Sequence, residues 1–295
     1  MNVLIVGATG YVGTAVDEAL SARGHRTSGS ARSAAAERSL KARGTAVVEC
    51  DASRPQSLIG PARKADAVVY AVAITDADAG RVDGGALRAL TTALAGSGKP
   101  LVYVSSAWVY GDTGGMVDEG ARLRPPAVAA HRPESERLVH AMSLRNVRAT
   151  IVRPGIVYGR GGGIPAMFVH SARERRSSTI VGQGTNRWAT IEVRDLGELI
   201  ALALERGAAG RIYNAVDETA FTVREIAEAA SRGAGAGAAT TTTPAGILGP
   251  YGEALVLDQR ISARRAKNDL GWAPGSPSIL EDLESGSYQA TPLAS

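Results

Sequence analysis

The sequence predicts an α/β protein: a doubly wound parallel sheet with a small C-terminal cap. Three observations carry this. Short apolar runs alternate with helical patterns through the first half of the chain, as a parallel sheet flanked by helices requires. The chain opens on an apolar run, Val3 to Val6, which breaks into glycines at Gly7, Gly10 and Gly13 before a helical pattern begins. Beyond Gly159 the regular alternation stops and shorter, mixed segments follow.

Taken in order, the expected strands of the first half lie over 3–6, 26–30, 46–50, 67–72 and 101–105. Helices are expected over 11–22, 34–43, 57–64 and 86–94. A further helix over 134–143 leads to a strand over 148–153, which ends at Arg153-Pro154-Gly155. Gly161 to Gly163 read as a flexible or tight connection into a helix over 164–175. Strand, helix and strand are then expected over 189–193, 196–205 and 211–214. Thr222 and Glu225 form a capping-box signature that opens a helix to Ser231. The low-complexity run 233–243, glycine and alanine followed by four threonines, reads as a surface loop.

Composition narrows the function. A chain of 295 residues, 44% hydrophobic and 21% charged, is ordinary for a soluble globular protein. The net charge of +4 is modest, and the cluster Arg173, Arg175 and Arg176 has few aromatic neighbours, so nucleic acid is not an expected partner. The single cysteine, Cys50, excludes an internal disulfide and a cysteine zinc site; it reads as buried filler. No apolar stretch approaches the ~20 residues of a membrane span, and the apolar start at Asn2 has no basic leader. A cytoplasmic protein without a membrane partner is expected, with a homodimer carried as the candidate assembly.

The opening motif points to a ligand. A strand–turn–helix with glycines at this spacing aims free backbone N–H groups and the positive end of a helix at a phosphate. Glycine is needed where the backbone turns tightly or approaches the pyrophosphate closely. The predicted division is a dinucleotide-binding Rossmann domain over 1–159. The mixed segment over 160–295 partly completes the sheet and partly forms a substrate cap.

With Ser105-Ser106-Ala107-Trp108-Val109-Tyr110-Gly111 after the fifth strand, the chain resembles an extended short-chain dehydrogenase/reductase of the epimerase/dehydratase type. The glycine motif, the run from Arg153 to Gly159, the segment Arg187 to Asp195 and the run Leu270 to Pro274 stand in the expected order along nearly the whole chain. The resemblance implies that Gly7, Thr9, Gly10, Tyr11, Val12 and Gly13 hold the pyrophosphate. Asp51 and Ala52 resemble the pair that contacts adenine. Ala71, Val72 and Ala73, with Pro154, match positions that lie against the cofactor. In the family the end of strand two meets the adenosine ribose, where an acid favours NAD. Here residues 28–33 contain no acid. Arg32 can take a 2′-phosphate and Ser33 can donate to it, so NADP is the expected cofactor rather than NAD.

The departure from the family is sharper than the match. The resemblance places a Tyr-x-x-x-Lys pair on the next helix, the Tyr as acid/base and the Lys on the nicotinamide ribose. Counting back from Glu136 puts Val128 and Arg132 at those positions; no Tyr stands between Tyr110 and Tyr158. This is the pattern of the atypical branch. Arg132 can hold a ribose or phosphate but is a poor proton carrier. Pro133 suits a first helical turn and disturbs the residue before it. Ser106 stands where the family places its substrate-orienting hydroxyl. His131 has the acidity for proton transfer near neutrality, and Tyr110, four residues past Ser106, is the other candidate. Asp118 and Glu119 lie on a loop that can fold over the site or serve structure. His25, His140 and His170 lack ligand-like spacing to acids, so no metal is expected. Arg160, Arg173 and Arg187 can meet an anion in the cap.

These residues lead to an expected enzyme: an NADP-dependent oxidoreductase or epimerase of the atypical type, acting on a small-molecule carbonyl or alcohol. A non-redox isomerase, dehydratase or cyclase on the same scaffold, and a non-enzymatic NADP-sensing module, are the alternatives.

Overall fold

The computed structural model describes residues 1–31, 33–74 and 77–289. Its first half runs β1 (Asn2–Val6), α1 (Tyr11–Ala22), β2 (Arg26–Gly29), α2 (Ala34–Ala42), β3 (Ala46–Val47), α3 (Ile59–Lys64), β4 (Ala67–Tyr70), α4 (Ala79–Leu94) and β5 (Pro100–Val104). There follow β6 (Met116–Val117), α5 (Arg132–Ser143), β7 (Arg148–Pro154), β8 (Ile156–Tyr158), α6 (Ala166–Arg175), β9 (Ser178–Val181), β10 (Thr190–Glu192), α7 (Val193–Arg206) and β11 (Ile212–Ala215). The last part holds α8 (Val223–Gly233), β12 (Thr240–Thr243), α9 (Gly249–Leu255), β13 (Arg260–Ile261), α10 (Arg264–Leu270) and α11 (Ile279–Ser285).

Seven strands form one sheet in the order β11-β7-β5-β4-β1-β2-β3, and every pairing in it is parallel. The chain winds outward from β1 in one direction and then from β4 in the other, so the strand order reverses between β1 and β4. In such sheets ligands bind outside the carboxyl ends of the strands at that reversal. The central strands are apolar on both faces because helices cover both. Val3 and Ile5 of β1 pack with Val16, Leu20, Leu196 and Ile200 of α1 and α7. Leu4 and Val6 point the other way, into Val82, Leu87, Leu90 and Val139 of α4 and α5. A third core, with Phe168, Trp188, Ile226 and Leu283, joins α6, α8 and α11 away from the sheet. β11 brings the C-terminal half back to the sheet edge.

Two expectations need correction. The run 233–243 is not all loop: Thr240–Thr243 form β12, which pairs in parallel with β9. Low complexity hid four β-branched residues, which suit an extended strand. Helix α4 starts at Ala79 rather than 86, because Gly84 and Gly85 lie inside it. At Gly85 a Cβ would stand 2.8 Å from the Pro55 ring, so the glycine permits a close approach that propensity alone disfavours. Gly161 to Gly163 belong to a tight turn, with φ of +69° at Gly161 and +72° at Gly163.

No helix among the described residues is long and apolar enough to cross a membrane. Among the same residues no group of three or more His, Cys, Asp or Glu converges as a metal site would require.

Candidate functional site

The turn between β1 and α1 is a backbone cradle. Gly7 has φ +96°, and a Cβ on it would stand 2.6 Å from the Ala71 carbonyl oxygen. A Cβ on Gly13 would stand 2.0 Å from the Gly7 carbonyl oxygen. Both glycines are therefore required by the protein's own packing. Gly10 differs: its N–H donates to Gly7 O at 3.0 Å, and a Cβ on it would meet only that oxygen, at 3.3 Å. The space beyond it is open. Helix α1 starts at this point with no side-chain cap and no acid in its first turn. Uncapped first-turn N–H groups facing open space suit a pyrophosphate, so the residues present fit a dinucleotide. Thr9 and Gly10 are exposed, Tyr11 and Val12 half-buried. The Tyr11 hydroxyl donates to Gly159 O at 2.7 Å and its ring lies against Gly162, tying the turn after β8 to the start of α1. Burial pushes the Tyr11 phenol well above its ordinary pKa, with Tyr288 adding to the rise.

The other expected cofactor positions stand at the ends of the neighbouring strands. At Gly29, which ends β2, a Cβ would stand 2.4 Å from the Ala8 side chain, so β2 and the glycine turn are in close contact. Ser33 caps α2, its Oγ accepting from Ala36 N at 3.2 Å; the hydroxyl hydrogen stays free to donate. Arg32 lies outside the described residues. The Asp51 carboxylate accepts from Ser53 N at 2.9 Å, and Ala52 beside it is buried. Ala71 and Val72 are half-buried beyond β4, Ala73 is exposed, and Pro154 is buried at the end of β7.

Beyond β5 the structure separates the candidate catalytic groups. Ser106 is half-buried and caps the 3₁₀ turn Ala107–Tyr110, accepting from Trp108 N at 3.2 Å. Ser105 turns the other way and donates to Glu136 Oε1 at 2.6 Å. Glu136 is held by Arg153 in a buried bidentate pair, Nε to Oε1 at 2.9 Å and Nη2 to Oε2 at 2.5 Å. Tyr110 belongs to this structural network, which corrects its expected place in the site. Its hydroxyl accepts from Arg153 Nη1 at 2.8 Å and donates to Asn214 Oδ1 at 2.7 Å, and burial raises its pKa. A hydroxyl buried among fixed partners has no path to exchange protons with a substrate. Glu119 is likewise structural, accepting from Asn214 N and facing Arg265.

Arg132 is the second correction. It was expected to reach a ribose or phosphate; it is buried instead. Its Nη1 donates to the Tyr103 hydroxyl at 2.8 Å and to Val104 O at 3.2 Å, and stands 3.3 Å from Asp83 Oδ2. Asp83, on α4, is 1% exposed and also accepts from the Tyr70 and Tyr103 hydroxyls, each at 2.9 Å. A lysine could supply a single point charge here, whereas the guanidinium reaches several acceptors at once. It is thereby drawn into the protein.

His131 precedes Arg132 and forms the N-cap of α5 without using its ring as a cap. Together with Val128 it lines a cavity of about 620 Å³ between the start of α4, the 3₁₀ turn Ala127–Ala129 and α9 of the cap. Ala79, Leu248 and Tyr251 form much of its wall, and Tyr251 meets Trp108 edge to face at 5.9 Å. Burial and the Arg132 cation lower the His131 pKa, while Asp83 opposes the fall. Of the cap arginines, Arg160 pairs with Glu18 at 2.5 Å and Arg173 donates to Tyr288 O at 2.6 Å.

The model of the NAD dependent epimerase/dehydratase family matches residues 3–215, well over half of the chain. The chain belongs to that family. An uncharacterized protein of Schizosaccharomyces pombe, C2A9.02, is 26% identical over 299 residues, covering 98% of this chain and all of the relative. Among solved structures, a dTDP-glucose 4,6-dehydratase from Bacillus anthracis in complex with NAD superposes with a TM-score of 0.84 at 19% identity, covering 98% of this chain and 96% of that one. A UDP-glucose 4-epimerase from Thermus thermophilus, also with NAD, gives 0.83 at 21% identity, covering 99% and 100%. At these identities the structural likeness establishes the fold.

Asp83 is the residue of this epimerase/dehydratase family member that sequence reasoning missed. The signal was present: Ala79, Val82, Asp83, Ala86, Leu87 and Leu90 are all buried on α4, so an acid interrupts an apolar face. A helix taken to begin at 86 leaves that face out of view.

Proposed function

We propose that the protein is an NADP(H)-dependent oxidoreductase or epimerase of the atypical type, acting on a small-molecule carbonyl or alcohol. The observation that carries this reading is the cavity beside His131. Its walls come from the start of α4 and the segment leading into α5, which follow β4 and β5 along the chain, and from the turn and helix at 248–251. Its size lies within the roughly 300–1,000 Å³ of small-molecule sites.

Bound NADP(H) would supply the two-electron chemistry. The chain's own residues do the rest. Gly7, Gly10 and Gly13 shape the cradle for the pyrophosphate; Ala71, Val72, Ala73 and Pro154 form the surface that backs the cofactor. Ser106 orients the reacting oxygen, since its hydroxyl can both donate and accept. His131 exchanges the proton. The inward turn of Arg132 removes the cation that would hold the nicotinamide ribose, and this favours the non-redox isomerase, dehydratase or cyclase as the second reading. Consumption of NADPH with a panel of carbonyl compounds separates the two. Product formation by protein stripped of cofactor would favour the second.

Preference for NADP rests on the sequence between Ser28 and Ser33, which offers no acid to a ribose 2′-hydroxyl and offers Arg32 to a 2′-phosphate. One charge-assisted phosphate contact is worth about 1.5–3 kcal/mol. Arg32→Ala should therefore weaken NADPH binding roughly 10- to 150-fold and leave NADH nearly unchanged. Calorimetry with both cofactors decides it, and equal losses for the two would remove the phosphate assignment.

A further inference from the structure

The imidazole of His131 has an unusual setting. Its Nε2 is buried and makes no hydrogen bond, yet it stands 3.6 Å from Asp83 Oδ2. That distance is too long for a hydrogen bond and short enough for a small ring rotation to close. Catalytic hydrogen bonds are often long before ligand arrives. Helix α4 is shaped for this approach. Gly80 and Asp83, three residues apart, lie on the face turned to His131, and a Cβ on Gly80 would come within 3.1 Å of the His131 Cβ. Gly80 leaves room for the ring and Asp83 presents the carboxylate.

From this juxtaposition we infer that Asp83 is a positioning residue for His131, and that the two form a carboxylate–imidazole pair doing the proton work at this cavity. The inference rests on the functional reading above. Asp83 holds the ring with Nε2–H turned inward and leaves Nδ1 as the nitrogen open to the cavity. In the carbonyl-to-alcohol direction Nδ1–H gives its proton to the reacting oxygen, and the ring is left neutral with Nε2–H toward Asp83. The reverse reaction returns the proton to Nδ1. A carboxylate that orients a histidine in this way fixes its tautomer and stabilises its cationic form.

The groups that face the ring act in opposite senses. Asp83 from α4 favours the imidazolium; Arg132 from α5 opposes it, as does burial. Tyr70 from β4 and Tyr103 from β5 each donate a hydrogen bond to the carboxylate. The net effect holds His131 below the ordinary histidine range. Alcohol oxidation, which needs the neutral ring, should therefore fall as pH drops through that midpoint, and carbonyl reduction should fall as pH rises through it.

The test needs no substrate. The chain has four histidines, and His131 is assigned in ¹⁵N-histidine spectra of the full-length protein by its loss in His131→Gln. Expected in the wild type is the Nε2–H tautomer at neutral pH. Asp83→Asn should shift the His131 midpoint down, and Arg132→Met should shift it up, while His25, His140 and His170 keep theirs. Any carboxylate this close would move the midpoint, so the tautomer separates positioning from charge balance: an Nδ1–H tautomer in the wild type, or an unmoved midpoint in a folded Asp83→Asn protein, overturns the pair. Should Asp83→Asn fail to fold, the wild-type tautomer still decides. NADPH calorimetry on the same samples keeps the two levels apart. A protein with the predicted tautomer that binds no NADPH would overturn the proposed function while leaving the Asp83–His131 geometry intact.

Discussion

Gly10→Val should give a folded protein that has lost NADPH. The three glycines of the cradle are not equivalent. Gly7 and Gly13 have no room for a Cβ against backbone atoms at 2.6 and 2.0 Å, so replacing either disrupts the turn itself. Gly10 has φ −77°, open to any residue, and its only close neighbour is one carbonyl oxygen at 3.3 Å. A valine there can be accommodated by the protein, but its methyl groups fill the space in front of the α1 N–H groups. Keeping a phosphate from two such donors removes about 1.5–3 kcal/mol for each. The loss in NADPH affinity should be roughly 10²- to 10⁴-fold. Gly10→Ala, with one carbon and no branches, should lose less. Thermal unfolding with and without NADPH, alongside calorimetry, reads both halves of the prediction. A folded Gly10→Val protein that NADPH stabilises as fully as the wild type would show that the turn serves structure alone.

That motif was legible in the sequence for the reason that makes it testable. A glycine requirement is a backbone constraint, set by local geometry, and it survives any change of neighbouring side chains. The central strands were legible too, because burial on both faces leaves little choice beyond apolar residues at β1, β4 and β5. The fate of Arg132 was not. Spacing identified the position that replaces the family's lysine, but a side chain's direction depends on partners distant in sequence, and Asp83 is 49 residues away. The same limit applied to Tyr110, whose hydroxyl partners Arg153 and Asn214 come from β7 and β11. A sequence lists donors and acceptors; only the fold shows which of them are already paired.

The placement of Arg132 also bears on how such a family member can change chemistry without losing stability. Removing one partner of a buried ion pair typically costs about 3–5 kcal/mol, because a charge is left unpaired in a poor solvent. With Asp83 nearly inaccessible, a cation at position 132 is tied to that carboxylate and to the Tyr103 hydroxyl. The guanidinium thus keeps a structural duty even where the acid/base tyrosine has become Val128. Under the proposed function, proton transfer then falls to a neighbour whose ring lines the cavity, and His131 is next in line along the chain.

Ser106→Ala should lower kcat far more than it affects either folding or cofactor binding. In the free protein the Ser106 hydroxyl accepts one hydrogen bond, from Trp108 N at 3.2 Å, as the cap of a four-residue 3₁₀ turn. Losing a cap of this kind costs about 1 kcal/mol of stability. In the proposed function NADPH is held elsewhere, by the glycine turn and the end of β2, so its affinity should change little. The transition state depends on the hydroxyl differently, because charge develops on the oxygen that Ser106 orients. Losing one such hydrogen bond commonly costs roughly 2.7–4 kcal/mol, or about 10²–10³ in rate. Ser105→Ala is the matched comparison: its hydroxyl is turned toward Glu136, so that variant should lose stability while its rate per folded molecule changes less. Single-turnover rates with a saturating carbonyl substrate, set beside NADPH affinities and unfolding midpoints for both variants, separate the two serines. Equal losses of rate in the two would mean that the end of β5 acts through its fold, and that the reacting oxygen is held by other residues.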